Sequence, residues 1–253
     1  MGTGLDVERR GTVLVLRLNR PHVRNAIDQA LASAVASALD ELDADDDLRI
    51  AVLTGAGGTF CSGMDLKAFA RGERVVTHRG FGGITERPPE KPIIAAVEGW
   101  ALAGGCEMAL ACDLLVAARD ARFGIPEVKR GLVAAAGGLS RLPLALPHPV
   151  AMELALTGAP LPADQAHRWG LVNRLVEPGQ AFETALELAT TIAENAPLAL
   201  RTSKWIMTRT SGWSGGGWWE EQSARVDEVM ASYDATEGAT AFAEKRPPRW
   251  RGR

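Results

Sequence analysis

Apolar residues recur along this chain at two spacings, and the spacing changes from segment to segment. Leu5 and Val7, then Val13, Val15, Leu16 and Leu18, flank Gly11 and predict two short strands around a glycine turn. Ile27, Leu31, Val35, Leu39 and Leu42 follow at helical spacing, with Asp28 placed where a negative charge complements a helix dipole. Short apolar runs at 50–53, 93–97, 114–118 and 171–176 predict strands, and 106–111 predicts a short helix between two of them. Strands alternating with helices predict an α/β body of βαβ units with right-handed crossovers.

Beyond about residue 178 the pattern turns helical. Segments 181–193, 198–207, 220–233 and 235–245 predict helices, with a Gly/Trp-rich stretch at 212–219 and a stop at Pro247-Pro248. Two segments stand outside this order. Residues 40–47 hold six acids in eight positions and predict a solvated turn ending the first helix, with cation binding as the alternative. Residues 69–90 are polar, carry Gly72, Gly80, Gly82 and Gly83, and predict a long loop that is functional or mobile.

Composition narrows the function classes. In 253 residues, 28 Lys and Arg face 31 Asp and Glu, for a net charge of −3, and 46% of positions are hydrophobic. That excludes a disordered chain, and it argues against nucleic-acid binding through bulk positive charge. The length allows one large domain or two small ones. Cys61, Cys106 and Cys112 lack Cys-x-x-Cys spacing, so no metal site is expected and a reduced, cytoplasmic protein is. Neither a signal peptide nor a membrane span is expected.

Two glycine-bearing turns follow predicted strands. The first, 55–66, lacks the third glycine of a dinucleotide-binding loop and leaves a turn at Ser62-Gly63-Met64 where backbone approaches a ligand. In the second, Gly104-Gly105 opens the 106–111 helix, where unpaired amides and the dipole suit an oxyanion. Glu107 sits on that first turn, and Glu127 follows Pro126 at the start of another helical turn. Each glutamate taken alone also reads as a dipole-stabilising carboxylate, and Gly104 alone as a plain turn.

Together these pieces resemble the crotonase family, the enoyl-CoA hydratases and isomerases, over nearly the whole chain. The resemblance runs through segment 18–26 (Leu-Asn-Arg-Pro-His-Val-Arg-Asn-Ala) and segment 60–66 (Phe-Cys-Ser-Gly-Met-Asp-Leu). It continues through 95–111, through 123–143 with its Ala-Gly-Gly-Leu-Ser-Arg-Leu, and ends at 241–248 (Ala-Phe-Ala-Glu-Lys-Arg-Pro-Pro). It departs at 133–137, where Val-Ala-Ala-Ala-Gly replaces an expected Pro- or Gly-containing turn.

The resemblance implies a crotonase (ClpP-like) α/β fold of repeated ββα units, with a catalytic core over 1–190 and a helical trimerisation region over 191–253. It implies Met64 and Gly104 as oxyanion amides, and Glu107 and Glu127 as the hydratase glutamates. Arg24, Ala26, Asp65, Leu66 and Lys67 match the coenzyme A region, and Trp100 and Leu132 the acyl pocket. The implied substrate is an acyl-CoA thioester, with coenzyme A as part of it and no separate cofactor. The implied assembly is a homotrimer, or a hexamer as a dimer of trimers. Five of seven tryptophans, Trp205, Trp213, Trp218, Trp219 and Trp250, lie in the back quarter, for burial between subunits or for plain intrachain packing. The basic end, Lys245 to Arg253, reads either as a phosphate contact or as a solvated terminus. The rivals within the family are an isomerase or another acyl-CoA dehydratase. Outside it stand a non-catalytic acyl-CoA binder and a nicotinamide dehydrogenase.

Overall fold

A computed structural model describes residues 2–209 and 217–253. Its elements in chain order are β1 (Leu5–Arg10), β2 (Val13–Leu18), α1 (Gln29–Ala44), β3 (Ile50–Gly55), α2 (Leu66–Ala70), β4 (Val76–Thr77) and β5 (Gly80–Phe81). Then come β6 (Ile93–Val97), β7 (Trp100–Leu102), α3 (Gly104–Leu110), β8 (Leu114–Ala118), β9 (Arg122–Gly124), α4 (Gly138–Ala145), α5 (His148–Thr157), β10 (Leu161–Pro162) and α6 (Ala163–Arg168). Last are β11 (Arg174–Val176), α7 (Ala181–Ala193), α8 (Pro197–Arg209), α9 (Trp218–Met230) and α10 (Tyr233–Glu244).

The main sheet runs β1-β2-β3-β6-β8-β11, antiparallel at β1-β2 and parallel from there on. Alternate strand residues feed two cores, as a sheet covered on both faces requires. Leu14, Leu16, Leu53, Ala95 and Ala117 point to the face covered by α1. Val13, Val15, Ile50, Val52, Ile94 and Val116 meet Ala181, Ala185, Ala189 and Ala193, a small-residue stripe that lets α7 lie close against the sheet. Glu98 fixes the start of α7 by accepting from the Gly179 and Ala181 amides at 3.0 Å.

A small sheet, β10-β9-β7, stands beside the large one and repeats the same step: β6 leads to β7 and α3, and β8 leads to β9 and a 3₁₀ turn, Pro126–Arg130. Cys61 bridges Ala101, and Ala101 pairs with Phe123, so three chain passes align side by side. Met64, Gly104 and Pro126 each lie three residues beyond that row. The topology itself gathers the three turns.

Two expectations need correction. The acidic run is not only a solvated turn: α1 continues to Ala44, and Asp40 and Asp43 each hold Arg79 at 2.7 Å, a guanidinium only 1% exposed. Segment 69–90 is not a free loop either. It carries the β4-β5 hairpin and buries Phe81, Ile84 and Thr85, with Gly83 pressed onto α1. Helices α4 to α6, which the apolar pattern did not predict, follow where Pro143, Pro147 and Pro149 interrupt the periodicity.

In the back quarter, Trp218 and Trp219 stack at 3.9 Å between centroids. Arg209 and Arg225 lie over Trp205, while Trp250 donates from Nε1 to the Glu194 carbonyl at 2.7 Å. Trp213 lies outside the described residues. The basic end is pinned rather than loose: Arg246 pairs with Glu237 and Glu244, and Asp234 accepts from the Arg251 and Gly252 amides. Among the described residues no helix is long and apolar enough to cross a membrane.

Candidate active site

Met64 pairs with Ile27 through its neighbours. The Ile27 amide donates to the Gly63 carbonyl at 2.8 Å and the Asp65 amide to the Ile27 carbonyl at 2.9 Å. In such a pairing the middle residue turns its own N–H to the other side. Gly104 opens α3 after Ala103, held at φ 52° and ψ −131° with its amide on the Gly124 carbonyl at 2.8 Å. A non-glycine residue there is strained, and the strain aims the first α3 amide out of the helix. Neither the Met64 nor the Gly104 amide donates a hydrogen bond among the described residues.

Close packing sets this spot. A Cβ on Gly105 would stand 2.3 Å from the Cys61 carbonyl, and one on Gly104 would stand 2.3 Å from the Phe81 ring. Phe81, from the corrected 69–90 segment, therefore lies against the Gly104 Cα. Sequence reading missed it because nothing in a polar, glycine-rich stretch marks one aromatic as facing inward.

Glu107 lies on the first turn of α3, 3% exposed. Its Oε1 accepts from the Ala136 amide at 2.8 Å and the Gly138 amide at 2.9 Å, and its Oε2 takes no hydrogen bond among the described residues. Burial raises its pKa, while those two amides and Arg141 oppose the rise. Glu127, on the 3₁₀ turn, has Oε2 buried with no partner among the described residues. Burial raises its pKa too, its own amide opposes, and the facing Glu107 charge adds to the rise. The environments differ in kind: Glu107 Oε1 has two amide donors from the 136–138 turn, whereas Glu127 has no amide but its own to oppose burial and carries an Oε2 that is both buried and unpartnered among the described residues. Burial pushes the Cys61 and Cys106 thiols up to about 12, so neither is a thiolate nucleophile near neutrality.

The remaining predicted residues form a neighbouring region. The Ser62 amide donates to the Arg24 carbonyl at 3.0 Å. Arg20 bonds the Ala26 carbonyl and pairs with Asp28 and Asp65 at 3.1 Å each. Asp65 caps α2 through the Lys67 and Ala68 amides, and Leu66 and Lys67 are exposed beside it. Burial resists ionisation of Asp65, but the Ala68 amide and Arg20 outweigh it and lower its pKa. Asn25 is the clamp that sequence reading passed over. Its buried Nδ2 donates to the Ala56, Thr59 and Phe60 carbonyls, and its φ of 55° follows Arg24 at 54°. Trp100, 43% exposed, starts β7 at the end away from Gly104, and Leu132, 49% exposed, follows the Glu127 turn. Among the described residues no group of three or more His, Cys, Asp or Glu is placed to hold a metal ion.

The family model for enoyl-CoA hydratase/isomerase matches residues 8–253. A crystal structure of enoyl-CoA hydratase from Mycobacterium tuberculosis H37Rv is 56% identical, with a TM-score of 0.97 over 99% of this chain and 100% of that one. Mevalonyl-coenzyme A hydratase of Aspergillus fumigatus is 43% identical over 94% of this chain and 91% of its own length. Carnitinyl-CoA dehydratase of Salmonella typhi is 42% identical, with full coverage of both chains.

Proposed function

The chain belongs to the enoyl-CoA hydratase/isomerase family and has the crotonase fold, and from that premise we propose that it hydrates a 2-enoyl-CoA thioester. The coarser reading, a hydratase or dehydratase of CoA thioesters, draws support from the names of its relatives. The observation that carries the finer one is the difference between two coupled carboxyls: Glu107, buried one turn from the free Gly104 amide, is held by two amides, whereas Glu127 has a buried Oε2 without a partner among the described residues.

Adding water across the 2,3 double bond places negative charge on the thioester oxygen. The Met64 and Gly104 N–H groups are the proposed donors to that oxygen, and one such donor is worth about 2.7–4 kcal/mol in the barrier. Glu107, its carboxylate supported by two amides, takes the proton of water as the oxygen bonds to C3. That attack moves the C2–C3 π electrons into the enolate; as the enolate collapses, Glu127, pushed toward its protonated form, gives its proton to C2 and is left as a carboxylate. Acid–base help of this kind contributes about 10²–10⁴-fold. Arg24, Ala26, Asp65, Leu66 and Lys67 are the proposed coenzyme A surface, and Trp100 and Leu132 the proposed acyl side. Coenzyme A enters as part of the substrate.

The test is turnover of crotonyl-CoA and longer enoyl-CoA thioesters, followed by loss of the enoyl absorbance. Glu107→Gln and Glu127→Gln each lose most of that activity and keep acyl-CoA binding. Near-native turnover by either variant refutes the assignment, and double-bond migration without hydration selects the isomerase. Exposed Trp219, Met230 and Phe242 on the α9–α10 surface support a trimer built through residues 191–253 around cores of 1–190. A monomer mass by light scattering refutes that assembly.

A further inference from the structure

Glu107 takes its geometry from a turn that another side chain holds from behind. Arg141, on the first turn of α4, donates from Nη2 to the Thr85 carbonyl at 2.6 Å and from Nη1 to the Ala136 carbonyl at 3.5 Å. Ala136 is the residue whose amide donates to Glu107 Oε1. The guanidinium lies over the turn itself, since a Cβ on Gly137 would stand 2.0 Å from Arg141 Nη1. One planar cation thus joins the turn that holds Glu107 to the segment that carries Phe81, which a flexible ammonium could not do with the same fork.

We infer that Arg141 is a positioning residue for the hydration proposed above: it holds the Ala136–Gly138 turn on Glu107, places a positive charge beside that carboxylate, and ties the Phe81 segment to it. The inference rests on that reading of the site.

The other charges in the neighbourhood do not replace it. From the 3₁₀ turn, Glu127 faces Glu107, and Arg130 acts on Glu127. On α3 itself the Cys106 thiol is buried and neutral. Behind Arg141 stand the buried Cys112 thiol and Asp113, the latter paired with Lys204 at 2.7 Å. Burial raises the Glu107 pKa, and of the charged side chains Arg141 is the one that opposes it. Without Arg141 the burial effect is less opposed and the base binds its proton more tightly.

The experiment uses Arg141→Met, Arg141→Gln and Arg141→Lys. Infrared difference titration of the free protein follows the Glu107 carboxyl, assigned by its loss in Glu107→Gln. The pH dependence of crotonyl-CoA hydration is read in parallel. In the Met and Gln variants the carboxyl titration and the acid limb of kcat both move up by about one pH unit, and kcat falls while KM changes less than about twofold. Lysine, which keeps the charge, shifts the limb less. An unmoved carboxyl titration in both neutral variants overturns the inference. If the native protein hydrates no enoyl-CoA, the hydration reading falls, and the infrared titration still decides whether Arg141 governs Glu107.

Discussion

Gly63 and Gly104 meet so closely that a methyl group on Gly63 would stand 3.1 Å from the Gly104 amide nitrogen and 2.9 Å from Ala103 Cβ. Gly63 also sits at φ 95°, where side chains are strained. The two proposed oxyanion amides can be neighbours because this position has no side chain. Gly63→Ala should separate them and cost about 10²–10³ in kcat, the loss of one donor. Gly58 supplies the control, since it has φ 71° with open space around it. Gly58→Ala should lower the melting temperature and leave kcat near native. Steady-state hydration with thermal melts of both variants checks the pair.

The two glutamates predict a pH profile. Glu107 must be ionised to accept a proton from water, and Glu127 must be protonated to give one to carbon. Burial raises both pKa values, and Glu107 raises that of Glu127 further. Activity should therefore fall on the acid side as Glu107 gains its proton, and on the alkaline side as Glu127 loses one. Both limbs should lie above the ordinary glutamate range, as macroscopic values of a coupled pair. A kcat/KM profile for crotonyl-CoA checks this. An acid limb at an ordinary glutamate pKa would remove the role given to burial.

The strands were legible in the sequence because each is a short apolar run with turn signals around it, and β2, β3, β6 and β8 fall where those runs do. The turns that carry the proposed residues Met64, Gly104, Glu107 and Glu127 were legible because glycine and proline mark them. Phe81, Asn25 and Arg141 were not assigned roles, for a common reason. Each acts across the fold, on Gly104, on the Ala56–Phe60 carbonyls, and on Thr85 and Ala136. Local pattern carries no sign of a partner tens of residues away. Arg79 shows the same limit, because an arginine in a polar segment reads as exposed until Asp40 and Asp43 are seen to surround it.

That cluster predicts unequal roles for neighbouring acids. Asp43 holds Arg79 and also accepts from the Glu90 amide at 2.8 Å. Asp43→Ala leaves a covered guanidinium with Asp40 as its remaining carboxylate. Breaking a fully buried pair costs about 3–5 kcal/mol, and because Asp40 persists the expected cost here is about 2–3 kcal/mol. Asp47, whose side chain is 87% exposed, should cost less than about 0.5 kcal/mol when changed to Ala. Urea unfolding midpoints decide it, and equal losses at the two positions would mean that the run is a solvated surface after all.

Glu237 fixes the C-terminal segment and predicts how that segment responds to acid. Its carboxylate accepts from Arg246 at 2.6 and 2.9 Å and from the Arg249 amide at 2.7 Å. The Arg246 bonds first, then the Arg249 amide, hold its pKa down at about 2 against an ordinary 4.5. A carboxyl lowered on folding binds fewer protons in the native state than in the unfolded one. Its contribution is therefore fully present above about 4.5, shrinks as pH falls, and is gone once pH passes about 2. Glu237→Gln should lower the urea midpoint at pH 7, and the gap to the native protein should narrow steadily below pH 4.5. Hydrogen exchange at the Trp250 indole, bonded to the Glu194 carbonyl at 2.7 Å, should quicken in the variant if the released end lifts from α7. A gap that stays constant with pH would show that the lost contact is steric rather than ionic.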